Sequence, residues 1–485
     1  MGDRDWNFTL REVLPSLLGM RPMLGEHVRA RRHVVAGERF VVLHDLDSGA
    51  VARIGEREWA LVASADGTRD LDGVLRAAAR EGRFAGREQL ETFVAALARA
   101  GMVRDADAPF EPPRDGDEVA EPPADLPVVP LAGFRFACDG RGSCCRIYPT
   151  TLLSPREVAR ARSLAPEILG GGDSAASAFT PERGSEPLAT SPATVASVHG
   201  RCAYLDGDRR CLLHARGGGA GKPAGCRLYP LALVDDGLAL RAGPVPECAC
   251  VLRSARAALP EAEPLLAQDV RTRADLEPAA SIRVLPARVR LHDSVTVARA
   301  AYAAWAEGAE RIAGAADVPR SLWELGRRLE GARDGAELRP IPLAGELDAA
   351  PLVEAEPLVA ELARVVAHIE ERHETDHAWR APDDLARLVP RWLLAAARRL
   401  RDAPALARAP ASDPAGERFY VRAVAHAHLW AGARPLATEL RARALRLWLA
   451  RLLVAASNGE AAGDAVLDEP IALVEAVCRS YGLAP

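Results

Sequence analysis

Nine cysteines occur in this chain of 485 residues, and eight fall between positions 138 and 250: Cys138, Cys144, Cys145, Cys202, Cys211, Cys226, Cys248 and Cys250. Thiolates are soft ligands that hold zinc, iron and iron–sulfur clusters, so thiols gathered in this way point to a metal site. A chain this long buries its cores without help from metal or disulfides, and the metal would therefore serve local structure or chemistry. Cys478 stands apart in "ALVEAVCRSYG" and reads as a small core residue of a helix.

The eight thiols come in groups. Between Cys138 and the pair Cys144-Cys145 lie Gly140 and Gly142, which permit a tight loop able to wrap an ion. Adjacent side chains diverge in extended backbone, so Cys144 and Cys145 face different centres unless that loop bends sharply. Cys202 and Cys211 flank Asp206-Gly207, a turn pair that predicts a hairpin bringing the two thiols together. His214 follows that hairpin, as a ligand, as a surface residue or as a group that supports a ligand. Cys226 leads into Arg227 and Tyr229, whose side chains are expected to bond cluster sulfurs or fix the loop, and Cys248 and Cys250 close the series.

The surrounding elements must position these groups. Residues 1–104 predict short strands at 32–35, 39–43 and 50–54, turns at 36–38 and 47–49, and helices at 56–65, 70–80 and 87–100, a small winged-helix-like α+β unit. Residues 105–130 are rich in Pro and acid and predict an extended linker that lets the first unit move relative to the second. A loop-rich Cys-cluster domain is expected over 131–253, with a helix start at Ser154-Pro155 and a mobile surface insertion over 170–197. From 254 to 485, apolar residues at three- and four-residue spacing predict an all-α domain, with helices near 294–313, 319–330, 355–373, 383–402, 416–430, 434–456 and 468–480. The expected fold class is multidomain and mainly α.

Three ordered motifs, "FACDGRGSCC", "CAYLDGDRRCLLH" and "GKPAGCRLYP", resemble the YkgJ-like zinc- or iron-chelating cysteine-cluster family. That resemblance implies a cofactor of zinc, iron or an iron–sulfur cluster, with Cys138, Cys144, Cys145, Cys202, Cys211 and Cys226 as the matching thiols and Cys248 and Cys250 as additions. Arg141 stands where many members carry a further cysteine. The stretch "VLHDLDSGAVARIGEREWALVASADGTRDLDGVLRAA" resembles the PQQ-biosynthesis peptide-carrier fold, or peptide recognition element, and implies a protein or peptide partner bound by strand addition. "ERFYVRAVAHAHLWAGARPLATELRARALRLWLARLLVAA" is similar to the C-terminal helices of the flagellin lysine-N-methylase family, which implies S-adenosylmethionine-dependent methylation of lysine side chains. The Gly-Trp expected after that family's paired cysteines is replaced by Arg146-Ile147-Tyr148.

Several function classes fall away. A formal charge of −5 argues against binding nucleic acid through phosphate neutralisation. The charged N-terminus is no signal peptide and no apolar run approaches the ~20 residues of a membrane span, so no membrane association and a cytoplasmic location are expected. His373-Glu374-Thr375-Asp376-His377 matches H-E-x-x-H, but charged neighbours disfavour a zinc protease. Gly217 to Lys222 fails as a phosphate loop because Pro223 stands where Ser or Thr must coordinate magnesium. His426 and His428, two apart on a predicted helix, point to different sides and make poor joint ligands. No catalytic residue is identifiable. Two expectations remain: a metal-dependent lysine-N-methylase-like enzyme, or a non-catalytic metal-stapled module that binds a protein or peptide.

Overall fold

The computed structural model describes residues 19–45, 50–80, 86–108, 123–138, 142–147, 152–170, 178–182, 187–257, 259–267, 269–276, 281–292, 295–332, 338, 340–342, 346, 360–368, 391, 395, 413–432, 434–456 and 469–480. The predicted 47–49 turn, the H-E-x-x-H segment, Asp139 to Arg141 and nearly all of the 383–402 helix lie outside them.

Strands β1 (Val28–Val35), β2 (Glu38–Asp45) and β3 (Val51–Gly55) form an antiparallel meander. Ala36 and Gly37 both have positive φ, 51° and 83°, the backbone that lets a two-residue turn follow the strand twist. Helices α1 (Glu56–Ser64), α2 (Leu71–Arg80) and α3 (Arg87–Arg99) follow. Period-two alternation sends Val28, Ala30, Val41 and Leu43 into one core with Trp59, Val74, Leu90 and Val94. Arg31 and His33 alternate onto the other face and are nonetheless buried.

That burial comes from the cysteine region. Here lie β4 (Val128–Pro130), α4 (Ser143–Ile147), α5 (Pro155–Leu164), β5 (Phe179–Pro181), β6 (Ala193–Val195), β7 (Ser197–Val198) and β8 (Arg201–Cys202). Strand β7 adds in parallel to the free edge of β1, pairing Ser197 with His33 and Val198 with Val34, and β8 pairs with β7. The sheet order is β8-β7-β1-β2-β3. Arg31 Nε donates to the Val195 carbonyl at 2.8 Å, Thr194 Oγ1 to the Ala30 carbonyl at 2.6 Å, and the Arg32 amide to Thr180 Oγ1 at 3.0 Å. The first unit is therefore tied down, not swinging on its linker. Within the predicted mobile insertion, the described segments Phe179–Pro181 and Ala193–Val195 are strands, and Phe179, Thr180, Ala193 and Thr194 are each at most 1% exposed. Its Ala, Ser and Pro content conceals strands too short to show a period.

Next come α6 (Leu212–Gly221), α7 (Ala224–Leu228), β9 (Leu231–Asp235), β10 (Leu240–Pro244), α8 (Ala249–Arg256), β11 (Ile282–Val284), β12 (Arg288–His292) and β13 (Val295–Ala298). A second sheet runs β11-β9-β10-β4, so the end of the supposed linker is itself a strand. Among the described residues 47% are helix and 22% strand, so the architecture is mixed α/β, which overturns the mainly-α expectation. The all-α reading of 254–485 fails over its first third, because Val289, Leu291, Val295 and Val297 are buried in alternation with polar neighbours, the period of a strand. Arg- and Ala-rich composition hid that period.

Helices then dominate: α9 (Arg299–Ala306), α10 (Glu310–Ala313), α11 (Val318–Glu330), α12 (Pro414–His426), α13 (Leu436–Ala456) and α14 (Pro470–Ser480). Among the described residues no helix is long and apolar enough to cross a membrane. Helices α11 and α13 approach closely at Gly326, where a Cβ would sit 2.8 Å from the Ala437 carbonyl oxygen. Two buried ion-pair groups lie in this bundle: Arg451 grips Glu417 with contacts of 2.7 and 2.8 Å, and Glu475 accepts from Arg443, Arg446 and the Tyr420 hydroxyl. Removing one member of a buried pair strands the other charge, at a cost of about 3–5 kcal/mol, whereas replacing both with apolar groups is close to neutral. Urea denaturation should therefore rank Arg451→Leu well below the wild type and the double variant Glu417→Leu/Arg451→Leu above the single one. A double variant less stable than the single would show that Glu417 is not left as a costly unpaired charge when Arg451 is removed.

Candidate metal centre

The path to Cys138 is the short strand Arg135–Phe136, and the Ala137 amide beyond it bonds Ser254 Oγ on α8 at 3.1 Å. Gly142 then takes φ 69°, and a Cβ there would lie 2.7 Å from Leu205 Cδ1, so glycine lets the loop close against the 202–211 turn. The chain bends at once into α4, and this bend sets Cys144 Sγ and Cys145 Sγ side by side, 4.0 Å apart.

Cys202 sits on β8, at the outer edge of the five-stranded sheet. From it the chain turns through Asp206, whose Oδ1 accepts the Arg210 amide at 2.7 Å, and Leu205 pairs back to Cys211. Cys211 then caps α6, where the amide ends favour negative charge. Cys226 lies on α7. The expected cap at Ser154 is present, with Glu157 completing the box, and Glu157 Oε1 also accepts the Ala224 amide at 2.5 Å. One carboxylate thus joins the start of α5 to the helix of Cys226.

Six thiols are brought within reach of one another's charge. Cys145 feels Cys144, Cys202 and Cys226; Cys226 feels Cys202, Cys144 and Cys211; Cys144 also feels Cys138. Burial first, then these neighbours, pushes the Cys226 thiol up to about 12. Burial likewise raises Cys202, and the hydrogen bond shared with Cys144 raises Cys145 while lowering Cys144. Two cations oppose the trend: Lys222 near Cys144 and Cys226, and Arg31 near Cys202. Cys145, Cys202 and Cys226 are therefore held as thiols at neutral pH when nothing else balances them.

The donor set suits a soft cation in kind, being all thiol. Among the described residues, however, no group of three or more His, Cys, Asp or Glu side chains is gathered closely enough to hold an ion as it stands.

Cys248 and Cys250 are placed differently, buried at the start of α8 in the large core that includes the C-terminal helices. Helix α8 does pack on the strand that leads to Cys138. His214 is exposed on α6. Arg227 Nη1 donates to the Lys222 carbonyl at 2.7 Å and so fixes the loop before α7, and Tyr229 packs on the large core. The Gly217 to Lys222 stretch is the kinked end of α6, with Gly218 at φ 62°. Cys478 is 2% exposed in the helical core, its thiol pushed up to about 11 by burial. None of the nine cysteines forms a disulfide.

Arg31 and Lys222 are the site residues that sequence reasoning missed. Nothing local connects Arg31 to Cys202: the polar face of "VRARRHVV" reads as solvated, so no local signal marked its covering. The two histidines of the C-terminal region also depart from expectation. Helix α12 ends at His426, and His428 takes φ 47°, so both line one cleft instead of opposite helix sides. Scans against family models, curated proteins and solved structures returned no match for this chain.

The Arg31 charge favours the Cys202 thiolate. In metal-free protein, Arg31→Gln keeps a donor for the Val195 carbonyl but removes that charge, so alkylation of Cys202 by iodoacetamide should slow several-fold at pH 8, as read by peptide mass spectrometry. An unchanged rate would mean that the guanidinium does not act on this thiol.

Proposed function

We propose that this chain is a metal-stapled module that binds a protein or peptide in the cytoplasm, with zinc or iron held by Cys138, Cys144, Cys145, Cys202, Cys211 and Cys226. The observation that supports the reading is that these six thiols lie within range of one another's charge where β8 rests on the sheet of the first unit. Thiolates bound to a cation would supply the attraction that neutral thiols lack, and six donors exceed one tetrahedral zinc site, which leaves room for a second ion or an iron–sulfur cluster. Because Cys202 lies on β8, a bound ion would also hold β7 on β1. The staple would therefore set the rigidity of the sheet whose other edge, β3, has no neighbouring strand among the described residues. An extended partner segment adding to that edge is the mode that the resemblance to peptide recognition elements implies. The binding reading is preferred to lysine methylation because the joint between cluster and sheet needs no further cofactor.

Metal analysis of protein purified without oxygen should find at least one equivalent of zinc or iron per chain, reduced in Cys202→Ser and in Cys226→Ser. Binding must displace thiol protons, so affinity should climb by about one decade per pH unit for each proton released. Chelation should speed amide exchange over 28–35 and 193–202. Trace metal in every preparation would sink the metal reading, and exchange unaffected by chelation would sink the staple.

A further inference from the structure

A cavity of about 350 Å³ lies away from the cysteines, beside β4 at the end of the second sheet. We infer that it binds a medium-chain aliphatic carboxylate, the hydrocarbon tail between its walls and the carboxylate on Arg271. Two clamps make the cavity. At one end Arg135 and Phe136 pair antiparallel with Pro264 and Glu263, and the Arg135 guanidinium donates twice to the Ala262 carbonyl, at 2.9 and 2.6 Å. At the other end the Val128 amide donates to the Arg271 carbonyl at 2.8 Å, and Pro127 bridges to Thr272. Residues from the two stretches held by these clamps line the space between them.

The walls are apolar and belong to different cores. Val128 and Leu266 pack on the small core of the second sheet, whereas Leu131 and Phe134 pack on the large core, with the Phe134 and Phe419 ring centroids 5.0 Å apart. Leu265 and Val270 add to the lining, and all six side chains are only partly buried. Apolar surface thus faces a gap that the two cores leave between them, and a hydrocarbon chain entering it would leave water. The volume falls within the ~300–1,000 Å³ of small-molecule pockets.

Among the described residues that line the cavity, Arg271 alone is charged. Its backbone is fixed by the Val128 amide and by its own amide, which donates to Asp275 Oδ2 at 2.9 Å. That carboxylate oxygen also accepts the Thr272 amide and hydroxyl. The Arg271 guanidinium itself makes no hydrogen bond or ion pair among the described residues. Its planar fork matches a carboxylate. An alcohol would leave the fork unused, an amine would meet a like charge, and a short acid would leave the walls uncovered.

Isothermal titration calorimetry on the full chain tests this, with octanoate, octanol, octylamine and acetate as probes, each kept below the concentration at which it aggregates. Octanoate should bind in the sub-millimolar range, with octanol and acetate weaker by roughly fivefold or more and octylamine weaker still. Arg271→Gln should bring octanoate down to the affinity of octanol while leaving octanol unchanged. Ala267→Trp, at an exposed position of the lining, should abolish octanoate binding with the melting temperature unchanged. No octanoate binding, octanol or octylamine binding as tight as octanoate, or either variant binding octanoate as the wild type does would each overturn the assignment.

Discussion

Two residues of parallel pairing hold this molecule together. Ser197 and Val198 lie on the edge of β1, and through them a strand from the cysteine region becomes part of the N-terminal sheet. Parallel pairs as short as this are weak alone, so the joint depends on the polar groups sealed around it. Arg31, Arg32, Thr180 and Thr194 each satisfy a backbone group across it, and three of them are nearly or fully buried. Loss of any one would leave a backbone donor or acceptor without water or a partner, which typically costs about 1–3 kcal/mol.

The position of the thiols follows from this joint. Cys202 is the last residue of β8, Cys211 is drawn back to Leu205 by the turn at Asp206, and Gly142 brings α4 against that same turn. Glu157 adds α7 from the other side. A site assembled from four short pieces has little rigidity of its own. The sheet supplies a fixed edge, and a cation drawing in the thiols would supply the rest.

Where local patterns were strong, the sequence was legible. The turn at Ala36-Gly37, the helices over 56–64, 71–80 and 87–99, the Ser154 cap and the long apolar period of α13 all announce themselves within a few residues. The cysteine spacing suggested a metal site, and the fold brings six of those thiols within range of one another's charge, though among the described residues no three donors are gathered closely enough to hold an ion. What escaped was non-local. Strands of two or three residues in 179–198 carry no measurable period, and Arg-rich β12 looks like a solvated helix face until β13 is seen beside it. The cavity beside Arg271 is walled by stretches far apart in the chain, neither of which carries a motif.

The partners in the central joint are far apart in the chain: Arg31 meets Val195, 164 residues later. During synthesis at ~5–20 residues per second, the first unit leaves the ribosome roughly 8–30 s before the strand that covers its edge has been made. Throughout that interval β1 presents unpaired amides and carbonyls, with Arg31 and His33 uncovered beside them. An open edge is a template for wrong pairing, and the charges of "VRARRHVV" make it a poor one. The run of arginines that is costly to bury in the finished protein thus guards the nascent chain until its own later segment arrives.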